Sequence, residues 1–207
     1  DAPVELLARA RALGVEPARL VPLELVVHEA LAWRGDHAEL VALSEHLLEV
    51  VPRGGEAWSR VAAGLLTSGG PSLGMGRALE LLRAIASTPL PHPPTLAHVR
   101  AHAWASMVCF RAGGTDIACV LLDQLLATRE DLGDDPARLG WLELAALYRP
   151  RFVERDAAAA LRHVEAAALA FERSGERFGL AIALAEIGYE LLALGRPDAA
   201  LARLVDA

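Results

Sequence analysis

Apolar residues recur along this chain at i, i+3, i+4 and i+7, the spacing that lays them on one face of an α-helix. Short polar breaks cut the pattern: RALGVEP, WRGDH, VVPRGGE, TSGGPSLG, STPLPHPPT, RAGGTD, DLGDDPA, YRPRFVERD, RSGER and ALGRPD. Each carries the Gly, Pro or Asp chemistry that stops one helix and starts the next. The breaks leave about eleven helices, most of them about 12 to 20 residues long. Connections this short force neighbouring helices into antiparallel hairpins. The pattern predicts an all-α fold.

The hairpins recur with a period. Leu40, Ala78, Ala118, Ala160 and Ala200 each open the buried face of a hairpin's second helix, and they stand 38, 40, 42 and 40 residues apart. A period of about 40 across two-helix units predicts an α-solenoid wound as a right-handed superhelix, where each hairpin buries its apolar face by stacking on its neighbours. Five units follow, at approximately 17–52, 55–89, 95–131, 137–174 and 177–207, in one repeat domain over residues 1–207. The last unit is expected to be open-ended. Its second helix begins at Pro197 and sets Ala200, Leu201 and Leu204 on a buried face, with no polar capping helix after it. The chain therefore reads as an excerpt of a longer, multidomain protein.

The first helices add a second pattern. Trp141, Leu144, Ala145 and Tyr148, followed by Ala160 and Val164, resemble the tetratricopeptide repeat, which runs W-x2-L-G-x2-Y and then A-x3-F. Trp58, Val61, Ala62 and Leu65 with Ala78 and Leu82 make another copy, and Leu184, Ile187, Gly188 and Leu191 with Ala200 and Leu204 another. The third copy is weaker, with His102, Ala105, Ser106 and Cys109. In the first, Val27, His28 and Leu31 stand at the pattern and Pro52 closes the unit. The units exceed the family's usual length of about 34 residues, with additions at PSLG, PRFV and RSGERF. Longer copies of this kind look like those of large bacterial regulators and ATPases. Gly188, Ala145, Ala62 and Ser106 are the small residues at which paired helices approach closely. In the first unit the sizes invert, with His28 at the small place and Ser44 at a large one, which reads as a compensated volume swap.

Composition agrees with helices. The chain has 207 residues, 54% of them hydrophobic and only 5% aromatic, with Ala and Leu dominating. The apolar runs are interrupted by charge, Glu186 and Glu190 in GLAIALAEIGYELLALG and Glu24 and Glu29 near LVPLELVVHEALAW, so no membrane span is expected. A net charge of −7 without a basic face argues against nucleic acid and anionic lipid as partners. The two cysteines, Cys109 and Cys119, make no disulfide framework and suggest reduced thiols in a cytoplasmic setting.

Candidate chemistry is sparse. His98, His102 and Cys109 fall within about 40° on one helical face, yet two of them stand at core positions and HVRAH lacks a metalloprotease glutamate. GGPSLGMGR lacks the Lys-Ser/Thr pair of a phosphate loop. In PLPHPP the prolines punctuate helices, and Asp135 before Pro136 reads as an N-cap. No acid, base and nucleophile set can be assembled. The expectation is a non-enzymatic protein without metal or cofactor.

The resemblance implies that first helices line a concave groove. Among the positions pointing there are Glu29, Leu66, Met107, Phe110, Leu142, Arg149, Tyr189 and Leu192. This mainly apolar surface lacks the basic clamp with which some family members hold a chaperone's terminal carboxylate. It suits an amphipathic or hydrophobic segment of a partner protein, or a neighbouring domain of the same polypeptide. A scaffold in a regulatory or signalling protein is the leading reading, and a ligand- or peptide-sensing module controlling an attached effector is the alternative.

Overall fold

The computed structural model describes residues 2–69 and 73–205, with side chains described as far as residue 203. Among these the protein is all-helical: eleven α-helices, a 3-10 turn at Glu130–Leu132 and a π-turn at Pro150–Glu154. It divides into two compact units, Asp1–Thr88 and Pro89–Ala207, with the boundary in the proline-rich stretch after Thr88. Unit 1 holds α1 (Ala2–Ala12), α2 (Pro17–Arg34), α3 (His37–Val50), α4 (Glu56–Ser68) and α5 (Met75–Ala86). Unit 2 holds α6 (Leu96–Arg111), α7 (Thr115–Ala127), α8 (Pro136–Ala146), α9 (Ala157–Ser174), α10 (Arg177–Ala193) and α11 (Pro197–Val205). Within each, helices pack on their neighbours in sequence order: α1 on α2 and α2 on α3 in unit 1, α6 on α7, α8 on α9, α9 on α10 and α10 on α11 in unit 2. No helix among the described residues is long and apolar enough to cross a membrane.

One turn is used repeatedly. After α1, α2, α6, α9 and α10 a glycine takes the left-handed conformation, with φ between 69° and 81°, at Gly14, Gly35, Gly113, Gly175 and Gly195. The next residue's N–H then donates to the carbonyl five back: Val15 to Ala10, Asp36 to Leu31, Gly114 to Cys109, Glu176 to Phe171 and Arg196 to Leu191. This is the Schellman arrangement, in which glycine meets no Cβ penalty and the helix's last carbonyls are satisfied. Five helices share a register at their start. Leu40, Ala78, Ala118, Ala160 and Ala200 are each the fourth residue of their helix. Each donates its N–H to the residue that precedes the helix. Across one hairpin the two small positions touch directly, since Ser106 Oγ donates to the Ala118 carbonyl at 3.1 Å.

The cap at Asp135 is as expected, with its carboxylate accepting from the N–H groups of Ala137 and Arg138 and Pro136 opening α8. Pro93 and Pro94 stand just before Thr95, which caps α6 with His98 in a reciprocal capping box. The PRFV addition is the π-turn: Tyr148 and Ala160 are three residues further apart than Cys109 and Ala118. Part of GGPSLGMGR, residues 70–72, lies outside the described residues. In α11 Ala200 is buried, but Leu201, expected beside it, is 65% exposed. Successive helical residues point about 100° apart, and α11 packs on α10 with Ala200 buried. The Leu204 side chain lies outside the described residues.

Candidate functional site

Unit 2 carries a cluster of aromatic and charged side chains. Trp141 is fully buried, edge-on to Phe171 with centroids 5.3 Å apart and 6.0 Å from Trp104. Two glycines make room for Phe171: a Cβ on Gly140 or Gly179 would fall 2.6 Å from its ring. Further along the same helices Tyr148 is also fully buried, and its hydroxyl donates to Glu186 Oε1 at 2.9 Å. Burial foremost, and then the neighbouring carboxylate, push the phenol above its usual pKa. The Arg111 and Arg151 guanidinium groups lie 5.3 and 5.2 Å from the Tyr148 ring centre. Arg111 pairs with Glu186, while Arg151 pairs with Glu186 and with Glu190, both at 2.5 Å. Burial works against the charge on Arg151, but the two carboxylates win and raise its pKa.

These contacts bury two carboxylates of α10 beside Ala183, Ile187 and Leu191. Glu186 and Glu190 are 3% and 2% exposed, whereas Tyr189 and Leu192 of the same helix are 65% and 51% exposed. The sequence pattern marked both glutamates only as charges interrupting an apolar run. Their i, i+4 spacing, which sets both on one face of α10, was the available signal for a buried acidic stripe. Arg111 and Arg151 sit in helix breaks and carried no signal.

The eight groove positions separate by burial. Met107, Phe110 and Leu142 are within 2% of complete burial and offer a partner no surface as the fold stands. Phe110 instead stacks on Tyr148 and Phe152, at 6.2 and 6.1 Å. Arg149 reaches Asp123 of α7 at 2.6 Å, and that contact holds its pKa raised. Leu66 is half-buried and Glu29 exposed, both in unit 1. Tyr189 and Leu192 remain as exposed apolar positions one turn apart on α10.

Unit 1 buries polar groups differently. The Ser44 hydroxyl donates to the Leu40 carbonyl at 2.6 Å, so it accepts from His28 Nε2, 3.0 Å away. His28 is thus the neutral Nε2–H tautomer, and burial lowers its pKa to about 4. Its ring lies so close to Gly64 that a Cβ there would overlap it, which makes the volume swap a three-residue arrangement. Glu24, 3% exposed, accepts from Arg11 of α1 at 2.8 Å and lies 3.5 Å from His46 of α3. Beside this pair a cleft of about 360 Å³ opens among α1, α2 and α3, lined by Val4, Leu7, Val27, Leu31 and Leu43 with Arg11, Glu39 and His46.

The His98, His102 and Cys109 face is occupied by structure. His98 Nδ1 serves the α6 cap, His102 Nδ1 lies 3.2 Å from the His98 carbonyl, and burial pushes the Cys109 thiol up to about 11. Among the described residues no group of three or more His, Cys, Asp or Glu side chains is arranged to hold a metal ion. Compared with known proteins, the chain matches no family model, no curated relative and no solved structure.

Proposed function

We propose that the protein is a non-enzymatic interaction scaffold of the tetratricopeptide type, an α-solenoid within a larger regulatory or signalling protein of the bacterial cytoplasm. The common fourth-residue register of Leu40, Ala78, Ala118, Ala160 and Ala200, and the left-handed glycine turn inside three of the five expected hairpins, at Gly35, Gly113 and Gly195, support a repeat built from one hairpin. The observation that carries the binding role is the exposed pair on α10. Beside a buried face of Ala183, Ile187 and Leu191 with two carboxylates, this helix leaves Tyr189 and Leu192, one turn apart, in water. Such a surface suits a partner's apolar segment, with the aromatic ring as anchor.

The test replaces Tyr189 and Leu192 together by Asp and compares the variant with the wild type for capture of polypeptide partners. A partner held by the wild type and by a Leu201→Asp control, but lost from the double variant, supports the reading. Equal capture by all three overturns it. The cleft among α1, α2 and α3 favours a second reading, a sensor of small apolar ligands, because its volume and mixed lining fall in the range of small-molecule sites. A metabolite that raises the melting temperature of the wild type, but not of an Ala42→Trp variant filling the cleft, would establish that reading instead.

A further inference from the structure

The cleft of unit 1 has a direction. α1 and α3 each join α2 through a short glycine turn, at Gly14 and Gly35, so both run against it. Arg11 and His46, late in α1 and α3, meet over Glu24, early in α2. Val4 and Glu39 stand seven residues before them, about 10 Å back along each helix. All four of these flanking residues line the cleft, with Leu7, Val27, Leu31 and Leu43 between them. The cleft is therefore a slot with a basic end, an apolar middle and one acidic side chain at its far end.

The basic end holds unspent donors. Arg11 gives one N–H to Glu24 Oε1 at 2.8 Å, and the other donors of its guanidinium meet no acceptor among the described residues. Glu24 Oε2 is buried and receives no hydrogen bond, and His46 Nε2 lies 3.5 Å from it, longer than a normal hydrogen bond. The side chains of Arg11 and His46 are 53% and 44% exposed, so both face the open side of the cleft as well as Glu24. One buried carboxylate thus holds two donors in place and saturates neither. The planar fork of an arginine matches a carboxylate in two parallel hydrogen bonds, and an acid entering the slot meets that fork. A cationic head would be repelled by Arg11, and a second acid group at the far end would be repelled by Glu39.

We infer that the cleft binds a monocarboxylate with a linear aliphatic chain about as long as the slot, its carboxylate on Arg11 and His46 and its chain against Leu7, Val27, Leu31 and Leu43. The inference rests on the sensor reading of this cleft and names the ligand class. Glu24 touches no ligand in this arrangement and acts by positioning the two donors.

Titration calorimetry of the whole chain with octanoate, octanol, octylammonium and octanedioate tests it. Octanoate bound about tenfold tighter than each of the other three supports the carboxylate site. Any of the three bound as tightly as octanoate overturns it. Arg11→Met, with unchanged far-ultraviolet circular dichroism, should weaken octanoate about fivefold or more and leave octanol unchanged, and unchanged octanoate affinity overturns the site. Should that variant not fold, His46→Gln serves the same comparison. The Ala42→Trp variant that fills the cleft separates this inference from the reading beneath it. Octanol and octanoate held equally by the wild type, but by neither route in Ala42→Trp, would sink the carboxylate site and leave a sensor of apolar ligands. No binding of any of the four by the wild type would remove both.

Discussion

Glu24 in unit 1 and Glu186 in unit 2 are each 3% exposed, yet the groups that meet them differ. Glu24 is answered by Arg11 and His46, which are 53% and 44% exposed and approach from the flanking helices. Glu186 is answered by Arg151, only 20% exposed, by Arg111 and by the hydroxyl of a fully buried tyrosine. The aromatic content follows the same division. Unit 2 joins Trp104, Trp141, Phe171 and Phe178 in one cluster and Phe110, Tyr148 and Phe152 in another. The core of unit 1 includes Trp58, several leucines and the His28–Ser44 pair. Large rigid rings cover Arg151 and Tyr148 in the charge network of unit 2, though Arg111 stays half-exposed, while unit 1 leaves its ion pair partly wet, where it contributes less and loses less when broken.

The largest expected effect is at the tryptophans. Trp141→Ala removes a fully buried ring that touches Trp104, Phe171 and Phe178, and should cost about 4 kcal/mol. Trp58, which opens the matching helix of unit 1, is 5% exposed and should cost about 3 kcal/mol. Urea denaturation of both variants checks the order. If Trp58→Ala is the more damaging, the aromatic cluster is not what distinguishes unit 2.

The units should also fail at opposite ends of the pH scale. His28 has a folded pKa of about 4 against 6.5 unfolded, so the unfolded chain binds the extra proton. Stability is then full above about 6.5 and falls as pH drops toward 4, by up to about 3 kcal/mol. Cys109 in unit 2 has its pKa raised to about 11 from 9.0, so the unfolded chain releases its proton first. Its contribution is full below about 9 and falls as pH rises toward 11, by up to about 3 kcal/mol. Stability measured across both windows should lose its acid limb in His28→Gln and shrink its alkaline limb in Cys109→Ala. A wild-type curve flat from pH 7 to 4 would remove the proposed burial cost of His28.

A smaller contrast isolates the carboxylates. Glu186→Ala strands buried Arg151 and leaves the Tyr148 hydroxyl without its acceptor, for about 2 kcal/mol after allowing for the half-exposed Arg111. Glu24→Ala frees two side chains that water already reaches, for about 1 kcal/mol. Equal losses by chemical denaturation would mean that the aromatic surroundings of Glu186 change nothing.

Helices were legible because their signals are local. Gly35, Gly113 and Gly195 close turns whose chemistry is written in three or four adjacent residues, and the Asp135–Pro136 start is complete in two. The hairpin register was legible for the same reason, as Ser106 and Ala118 show. Burial of polar groups was not. Whether Glu186 faces inward depends on Arg111, 75 residues away, and on Tyr148, 38 residues away. Met107 and Phe110 illustrate a further obstacle: a position aimed at a groove lines one only if nothing fills it, and Phe152 of the π-turn stacks on Phe110. Arg149, a groove position by the pattern, pairs with Asp123 on α7, a partner that sequence spacing does not reveal.

The smallest expected effect bears most directly on function. Tyr189 and Leu192 are exposed, so replacing either by Ser removes little buried surface and should change stability by no more than about 0.5 kcal/mol. Their buried neighbours on the same helix, Ile187 and Leu191, are 3% and 5% exposed, and the same replacement there removes core contacts and should cost several times as much. Thermal denaturation of the four single variants decides it. If Tyr189→Ser or Leu192→Ser lowers the melting temperature as much as Leu191→Ser does, in samples shown to be monomeric, then these side chains belong to the fold of unit 2. The exposed pair on α10 would then carry no argument for a partner.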